Sequence, residues 1–212
     1  MNKIMFSIVA IIFLNLVPLL GKPELLLHYK TLVLIVAAAS LWLSQPAFSS
    51  KDTKEHAESD KKSILIILIM SSLSVVFSVV EWAYTTDTTY SSFWLTSIGA
   101  IMMVSGIGIR IWAIKTLGKH FTATVTLTDD HQVISTGPYK LVRHPSYLGA
   151  FMAIVGCPVF LNAFLATLFS FIFMTIAYVI RITVEEKMLS SYFGKSYEKY
   201  KRKTKMIIPF IW

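Results

Sequence analysis

The sequence predicts an all-α fold, a polytopic integral membrane helical bundle of about six membrane segments. Three observations lead there. Of 212 residues, 55% are apolar and only 15% charged, with a mean hydropathy of +0.63; soluble domains carry about 25% charge. The apolar residues gather into runs close to the roughly 20 residues that cross a bilayer. The basic residues concentrate in particular segments between those runs, as the positive-inside rule requires.

Four runs precede residue 118: Ile4–Leu20, His28–Phe48, Ser63–Tyr84 and Ser92–Leu117. The third ends in Glu81-Trp82-Ala83-Tyr84, an aromatic end of the kind found at membrane interfaces. The fourth carries Gly99, Gly106 and Gly108, small residues that let membrane helices approach closely, and Arg110 and Lys115, expected to reach toward water. The last apolar stretch, Tyr147–Ile180, is too long for one ordinary span. Pro158 and Asn162 lie inside it, and proline and asparagine favour interruption and turning, so a helical hairpin turning near Cys157–Ala163 is expected. Charge supports the hairpin. Segment 118–146 holds Lys119, Lys140 and Arg143, and the tail holds Lys187, Lys195, Lys199, Lys201, Arg202, Lys203 and Lys205. Both belong on the cytosolic side, which needs an even number of crossings between them. A cleaved signal peptide at the N-terminus is the alternative for the first run, but no clear small-x-small cleavage site follows it.

The single cysteine, Cys157, excludes an intrachain disulfide framework and a cysteine zinc site, and no His/Glu spacing suggests a metal site. The net charge of +8 would raise the question of nucleic acid in a soluble protein. Here it points instead to a lipid bilayer whose anionic face attracts basic loops, with no nucleic-acid partner.

Two regions are more polar than a bundle needs. One is Lys119–Gly149, rich in Thr, Asp and His and punctuated by Gly137, Pro138, Pro145 and Gly149. It is a solvated loop or a ligand cradle, and the punctuation favours the cradle. The other is Arg181–Tyr200. Arg181 and Glu185 are four apart and share a helix face, either as an interfacial ion pair or as a holder for a polar ligand. Met188, Leu189, Tyr192 and Phe193 suggest an amphipathic helix lying in the interface, with a break at Gly194. A hairpin would return Arg181 and Glu185 to the side holding Tyr139 and His144; a single span would put about 30 Å of hydrocarbon between them.

The motifs Gly137-Pro138-Tyr139, Arg143-His144-Pro145-Ser146-Tyr147, Arg181-x3-Glu185-Glu186, Tyr192-Phe193-Gly194-x2-Tyr197-x2-Tyr200 and Ile208-Pro209-Phe210-Ile211 occur in that order. In this the chain resembles the isoprenylcysteine carboxyl methyltransferase family and its phospholipid-methyltransferase-like relatives, over roughly Phe121–Ile211. The resemblance implies a membrane enzyme that transfers a methyl group from S-adenosylmethionine to the α-carboxylate of a prenylated C-terminal cysteine. Each segment needs the others for polar burial, so one membrane domain over 1–212 is the simplest division, with four helices in 1–117; the resemblance makes 118–212 its methyltransferase core, with a cytosolic cofactor loop, the hairpin and an interfacial tail. It implies cofactor contacts at His131, Gln132, Val133, Ile134, Tyr139, His144, Pro145, Ser146, Tyr147 and Glu185, with Thr126 a weaker candidate. Arg181 is assigned to the acceptor carboxylate, and Glu185 stands with it at the reaction centre. The active site would face the cytosol, in a plasma membrane if prokaryotic or an endoplasmic reticulum membrane if eukaryotic.

The residue chemistry agrees with these roles. A carboxylate of pKa near 3.5 is ionised at neutral pH and needs no general base. It needs alignment, desolvation and a counter-charge, which a guanidinium provides as a planar fork. A phospholipid amine or small thiol acceptor would need a proton acceptor as well, for which His120, His144 or Glu186 are available. Two other classes remain open on sequence. One is an NADPH-dependent sterol or enone reductase with Lys140, Arg143 and Arg202 on the nucleotide phosphate. The other is a non-enzymatic membrane scaffold.

Overall fold

The computed structural model describes residues 3–45, 57–88, 91–121 and 133–207. These form α1 (Lys3–Ile11), α2 (Tyr29–Ser44), α3 (Ala57–Tyr84), α4 (Phe93–Leu117), α5 (Pro145–Leu161), α6 (Phe164–Phe193) and α7 (Lys195–Lys203), with short helical turns between them. Among the described residues the only β-type pairing is an isolated parallel bridge between Val142 and Lys205. Asp60–Tyr84, Phe93–Leu117 and Phe164–Phe193 are long and apolar enough to cross a membrane, and Ile4–Leu19, Tyr29–Ser44 and Pro145–Leu161 are shorter apolar helices beside them.

Successive helices alternate in direction, and polar contacts tie the bundle at both ends. At one end the Lys30 ammonium donates to Ser91 Oγ at 2.8 Å and the Tyr84 hydroxyl donates to the Pro18 carbonyl at 3.0 Å. Glu81, on α3, accepts the N–H groups of Leu165 (3.0 Å) and Ala166 (2.5 Å) and so caps α6. A carboxylate there satisfies donors that have no partner within the helix and opposes the positive end of its dipole. Trp82, beside it, is 1% exposed and belongs to the core, whereas Tyr84 at the end of the run is 47% exposed. At the other end Arg110 and Arg181 join α2, α3, α5 and α6. Arg110 does not reach water as expected: it is 4% exposed, donating to Ser44 Oγ (2.9 Å) and to Ser146 Oγ (3.0 Å) and carbonyl (3.2 Å).

The hairpin is present, with its turn at Asn162–Ala163. Pro158 stays inside α5, and Asn162 adopts the left-handed conformation (φ 64°) that asparagine tolerates. Its side chain bonds the neighbouring helix start, accepting from Ser92 N–H at 2.7 Å and donating to Thr96 Oγ1 at 2.9 Å. The turn is thus held by α4 as well as by its own backbone.

The α4–α5 contact explains two of the three glycines of the fourth run. A Cβ on Gly99 would land on the Phe160 backbone, and one on Gly106 would lie 2.5 Å from the Gly149 carbonyl oxygen. Gly108 faces open space and plays no such part. Gly106→Val is therefore expected to destabilise the bundle by about 2 kcal/mol or more through overpacking, read as a lowered thermal midpoint in detergent. Gly108→Ala, the control, should leave that midpoint nearly unchanged.

Helix α6 corrects one expectation. Residues Met188–Phe193 are not a separate interfacial helix but the last turns of α6, which runs unbroken for 30 residues. At 1.5 Å per residue that is about 45 Å, longer than the roughly 30 Å hydrocarbon layer. Its C-terminal turns, with Arg181, Glu185 and Glu186, project beyond the apolar part. The chain breaks at Gly194 (φ 51°), and the separate short helix is α7. Tyr197 and Tyr200 on α7 are buried at 3% and 8% exposure, so they pack rather than anchor in lipid.

Candidate active site

The hairpin's open end is where the polar motifs meet. Gly137, at φ 55°, turns the chain into a short helical turn whose second residue is Pro138. The next residue, Tyr139, is buried, and its carbonyl accepts the Tyr200 hydroxyl at 2.7 Å. Pro145 then starts α5 at a position where its missing N–H costs nothing. His144 is the cap residue, but its side chain does not cap the helix, which leaves the ring directed at α6.

The adjacent glutamates of α6 have different surroundings. Glu186 is held firmly. It lies 2.6 Å from Arg143 Nε, 3.3 Å from His144 Nε2 and 3.8 Å from Lys201 Nζ. Arg143 also donates to the Thr204 carbonyl at 2.6 Å and the Lys201 carbonyl at 3.3 Å, closing the C-terminal end of α7. Glu185 is more exposed (21% against 12%) and less tightly bound. It accepts the Tyr147 hydroxyl at 2.5 Å, with His144 Nδ1 at 3.8 Å and Arg181 Nε at 3.5 Å.

Arg181 is the most enclosed of these charges. Its Nε donates to the Tyr147 hydroxyl at 3.0 Å, and its Nη1 donates to Asp60 and, at 3.0 Å, to Ser63 Oγ. Asp60 and Arg181 are both about 3% exposed. The i,i+4 relation to Glu185 is present, and a second carboxylate from α3 completes it.

These groups line one cavity of about 130 Å³. Val133, Ile134, Tyr139, His144, Ser146, Tyr147, Arg181 and Glu185 all reach it, and Leu189, Phe193, Tyr197 and Tyr200 complete its wall. Pro145 is buried behind it and sets the direction of α5. His131, Gln132 and Thr126 lie outside the described residues. Burial raises the phenols of Tyr139, Tyr197 and Tyr200 above their ordinary range, with nearby glutamate charge adding to the effect at each. They remain protonated donors at any physiological pH.

A family model described as the isoprenylcysteine carboxyl methyltransferase (ICMT) family matches residues 97–191, which span α4, the hairpin and both glutamates. Over that stretch, a little under half of its length, the chain is similar to the isoprenylcysteine carboxyl methyltransferase family. A probable protein-S-isoprenylcysteine O-methyltransferase of Oryza sativa subsp. indica is 35% identical over 122 residues, covering 56% of this chain and 64% of that one. A protein-S-isoprenylcysteine O-methyltransferase of Schizosaccharomyces pombe is 34% identical over 131 residues, covering 58% and 56%. One from Saccharomyces cerevisiae is 29% identical over 189 residues, covering 88% and 76%. The matched part thus spans rather less than two thirds of the rice and fission-yeast proteins. Among solved structures, the eukaryotic intramembrane Ras methyltransferase ICMT shares the fold, with a TM-score of 0.60 at 23% identity over 99% of this chain and 75% of that one.

Sequence reading missed Asp60 and the enclosure of Arg110. Asp60 sits in a run of mixed charge at the start of α3, 121 residues from Arg181, and carries no local pattern that would single it out. Arg143, one of three cations available to the reductase alternative for a nucleotide phosphate, is already committed to Glu186 and to the end of α7.

Proposed function

We propose that this chain is a membrane methyltransferase that uses S-adenosylmethionine to O-methylate the α-carboxylate of a C-terminal isoprenylcysteine or a similar lipidic carboxylate, in a site facing the cytosol. The observation that carries the reading is the pairing of Arg181 with Glu185, one helical turn apart on the wall of one cavity, at the end of the hairpin where α6 outgrows the hydrocarbon. One group is suited to an anionic acceptor and the other to a cationic donor.

The donor set fits the proposed cofactor. Glu185 presents a partly exposed carboxylate to the cavity, and Val133, Ile134, Leu189 and Phe193 supply apolar wall beside the polar Tyr139, His144, Ser146 and Tyr147. When bound, S-adenosylmethionine supplies a methyl group on a positively charged sulfur. The chain's own residues do the rest. Glu185 attracts the cationic donor, and Tyr147 fixes Glu185 in place through its short hydroxyl bond. His144 holds the backbone of α5 to α6 through both glutamates. Arg181 orients the acceptor carboxylate, which arrives ionised and needs no base. Holding the two reactants in line supplies the entropic part of the acceleration, and exclusion of water strengthens the attraction between them.

The internal carboxylate bears on this mechanism. Asp60 occupies the Nη1 side of Arg181, so the acceptor carboxylate exchanges with Asp60 there. Asp60 keeps the guanidinium compensated until an acceptor arrives, since an unpaired buried charge is costly.

The deciding experiment is calorimetric titration of the detergent-purified protein with S-adenosylmethionine and, in parallel, with NADPH. Micromolar binding of S-adenosylmethionine, with methyl transfer to a farnesylcysteine acceptor, is the expected result. Saturable binding of NADPH alone would move the chain to the reductase class, and binding of neither would favour the scaffold.

A further inference from the structure

A second cavity, of about 260 Å³, lies apart from the active site where the end of α7 meets the turn before α5. Lys140, Lys201, Arg202, Lys203 and Lys205 surround it, and Leu141 supplies its apolar contribution. Lys201 is taken up by Glu186 and Glu198, at 3.8 and 3.4 Å. Lys140, Arg202, Lys203 and Lys205 have no carboxylate within ion-pair distance among the described residues. Among the described residues, four cations thus converge on one hollow with no carboxylate within ion-pair distance.

The hollow has a fixed floor. The Arg143 N–H donates to the Lys205 carbonyl at 2.8 Å, and the His144 N–H donates to the Met206 carbonyl at 3.1 Å. Thr204 Oγ1 donates to the Tyr200 carbonyl at 2.8 Å, and Arg143 Nη1 to the Thr204 carbonyl at 2.6 Å. The lysines therefore project from a pinned backbone rather than from a loose tail. Leu141, 52% exposed in the midst of the cations, puts an apolar side chain at the same surface. Clustered cations around an apolar side chain, at the end of the bundle where α6 leaves the hydrocarbon, match the boundary between lipid headgroups and acyl chains.

We propose that this hollow binds the phosphate headgroup of an anionic phospholipid, with Lys140, Arg202, Lys203 and Lys205 as its cationic ligands and Leu141 against the lipid's apolar portion. Each cation near an anionic leaflet adds favourable interaction that falls off within a Debye length, so the site is expected to be salt-sensitive. The site stands apart from the methyl-transfer reading, because lipid retention is measured without turnover.

The test is native mass spectrometry of the full chain released from nanodiscs of phosphatidylcholine mixed with phosphatidylglycerol. The wild-type protein is expected to retain phosphatidylglycerol about tenfold over phosphatidylcholine. The variant Lys140→Gln/Arg202→Gln/Lys203→Gln/Lys205→Gln, with helicity checked in phosphatidylcholine discs, is expected to retain the two lipids equally. Should it fail to fold, Lys203→Gln/Lys205→Gln and Lys140→Gln/Arg202→Gln are each expected to lose part of the preference. No preference in the wild-type protein, or an undiminished preference in the folded variants, would overturn the proposal. Displacement of phosphatidylglycerol by equimolar inorganic phosphate would overturn it too, by making the hollow a site for free phosphate.

Discussion

The double variant Arg181→Gln/Asp60→Asn is expected to fold, to bind S-adenosylmethionine within a few-fold of the wild-type affinity, and to lose at least about a hundredfold in methyl transfer. Both residues must be changed. Arg181 and Asp60 form a buried pair, and removing only the arginine leaves an uncompensated carboxylate at a cost of about 3–5 kcal/mol. Inactivity of Arg181→Ala alone would therefore not separate a lost counter-charge from a damaged fold. Neutralising the pair together removes the charge on which acceptor alignment depends while leaving no unpaired ion. The single variant Asp60→Asn provides the complementary reading. Arg181 keeps Ser63, Tyr147 and Glu185 as partners, and its internal carboxylate competitor is gone. The acceptor KM should then fall several-fold with donor affinity unchanged. Wild-type turnover in the double variant would remove Arg181 from the reaction, and a raised acceptor KM in Asp60→Asn would make Asp60 a supporting residue rather than a place-holder.

Glu185→Gln and Glu186→Gln are expected to fail in different ways. Glu185 faces the cavity with its nearest cationic groups at 3.5 and 3.8 Å, looser than those on Glu186, so neutralising it should weaken S-adenosylmethionine binding by about 10–100-fold in calorimetry, the range of a charge-assisted hydrogen bond. The thermal midpoint should change little. Glu186 holds Arg143, His144 and Lys201. Neutralising it should lower the thermal midpoint, because Arg143 and the end of α7 lose their anchor, while donor affinity stays within a few-fold. The reverse pattern would exchange the roles of the two glutamates.

Much of this was legible beforehand because it rests on local properties. Hydropathy marks which runs are apolar, and the Pro158/Asn162 pair with the basic tail required a return crossing. The observed turn at Asn162 follows, and with it the meeting of Tyr139, His144 and Tyr147 with Arg181 and Glu185. The i,i+4 spacing of Arg181 and Glu185 is a helix property and held for the same reason.

Other features were misread for reasons equally physical. Arg110 resembles a snorkelling residue near a helix end, but Ser44 and Ser146 from two other helices enclose it. Met188–Phe193 has the composition of an interfacial helix, yet no helix breaker precedes Gly194, so α6 simply continues. Gly108 matches its neighbours in type and differs only in facing away from α5.

The amino-acid sequence by itself determined the helical membrane class, the hairpin and half of the cavity's residues, because hydropathy, helix breakers and short motifs act over a few residues. Tertiary structure alone decided which glutamate is anchored and which is open, which carboxylate sits on Arg181, and where Lys140, Arg202, Lys203 and Lys205 converge. Those depend on which side chains from distant segments come within a few ångströms, and burial then turns each encounter into a charge that must be matched.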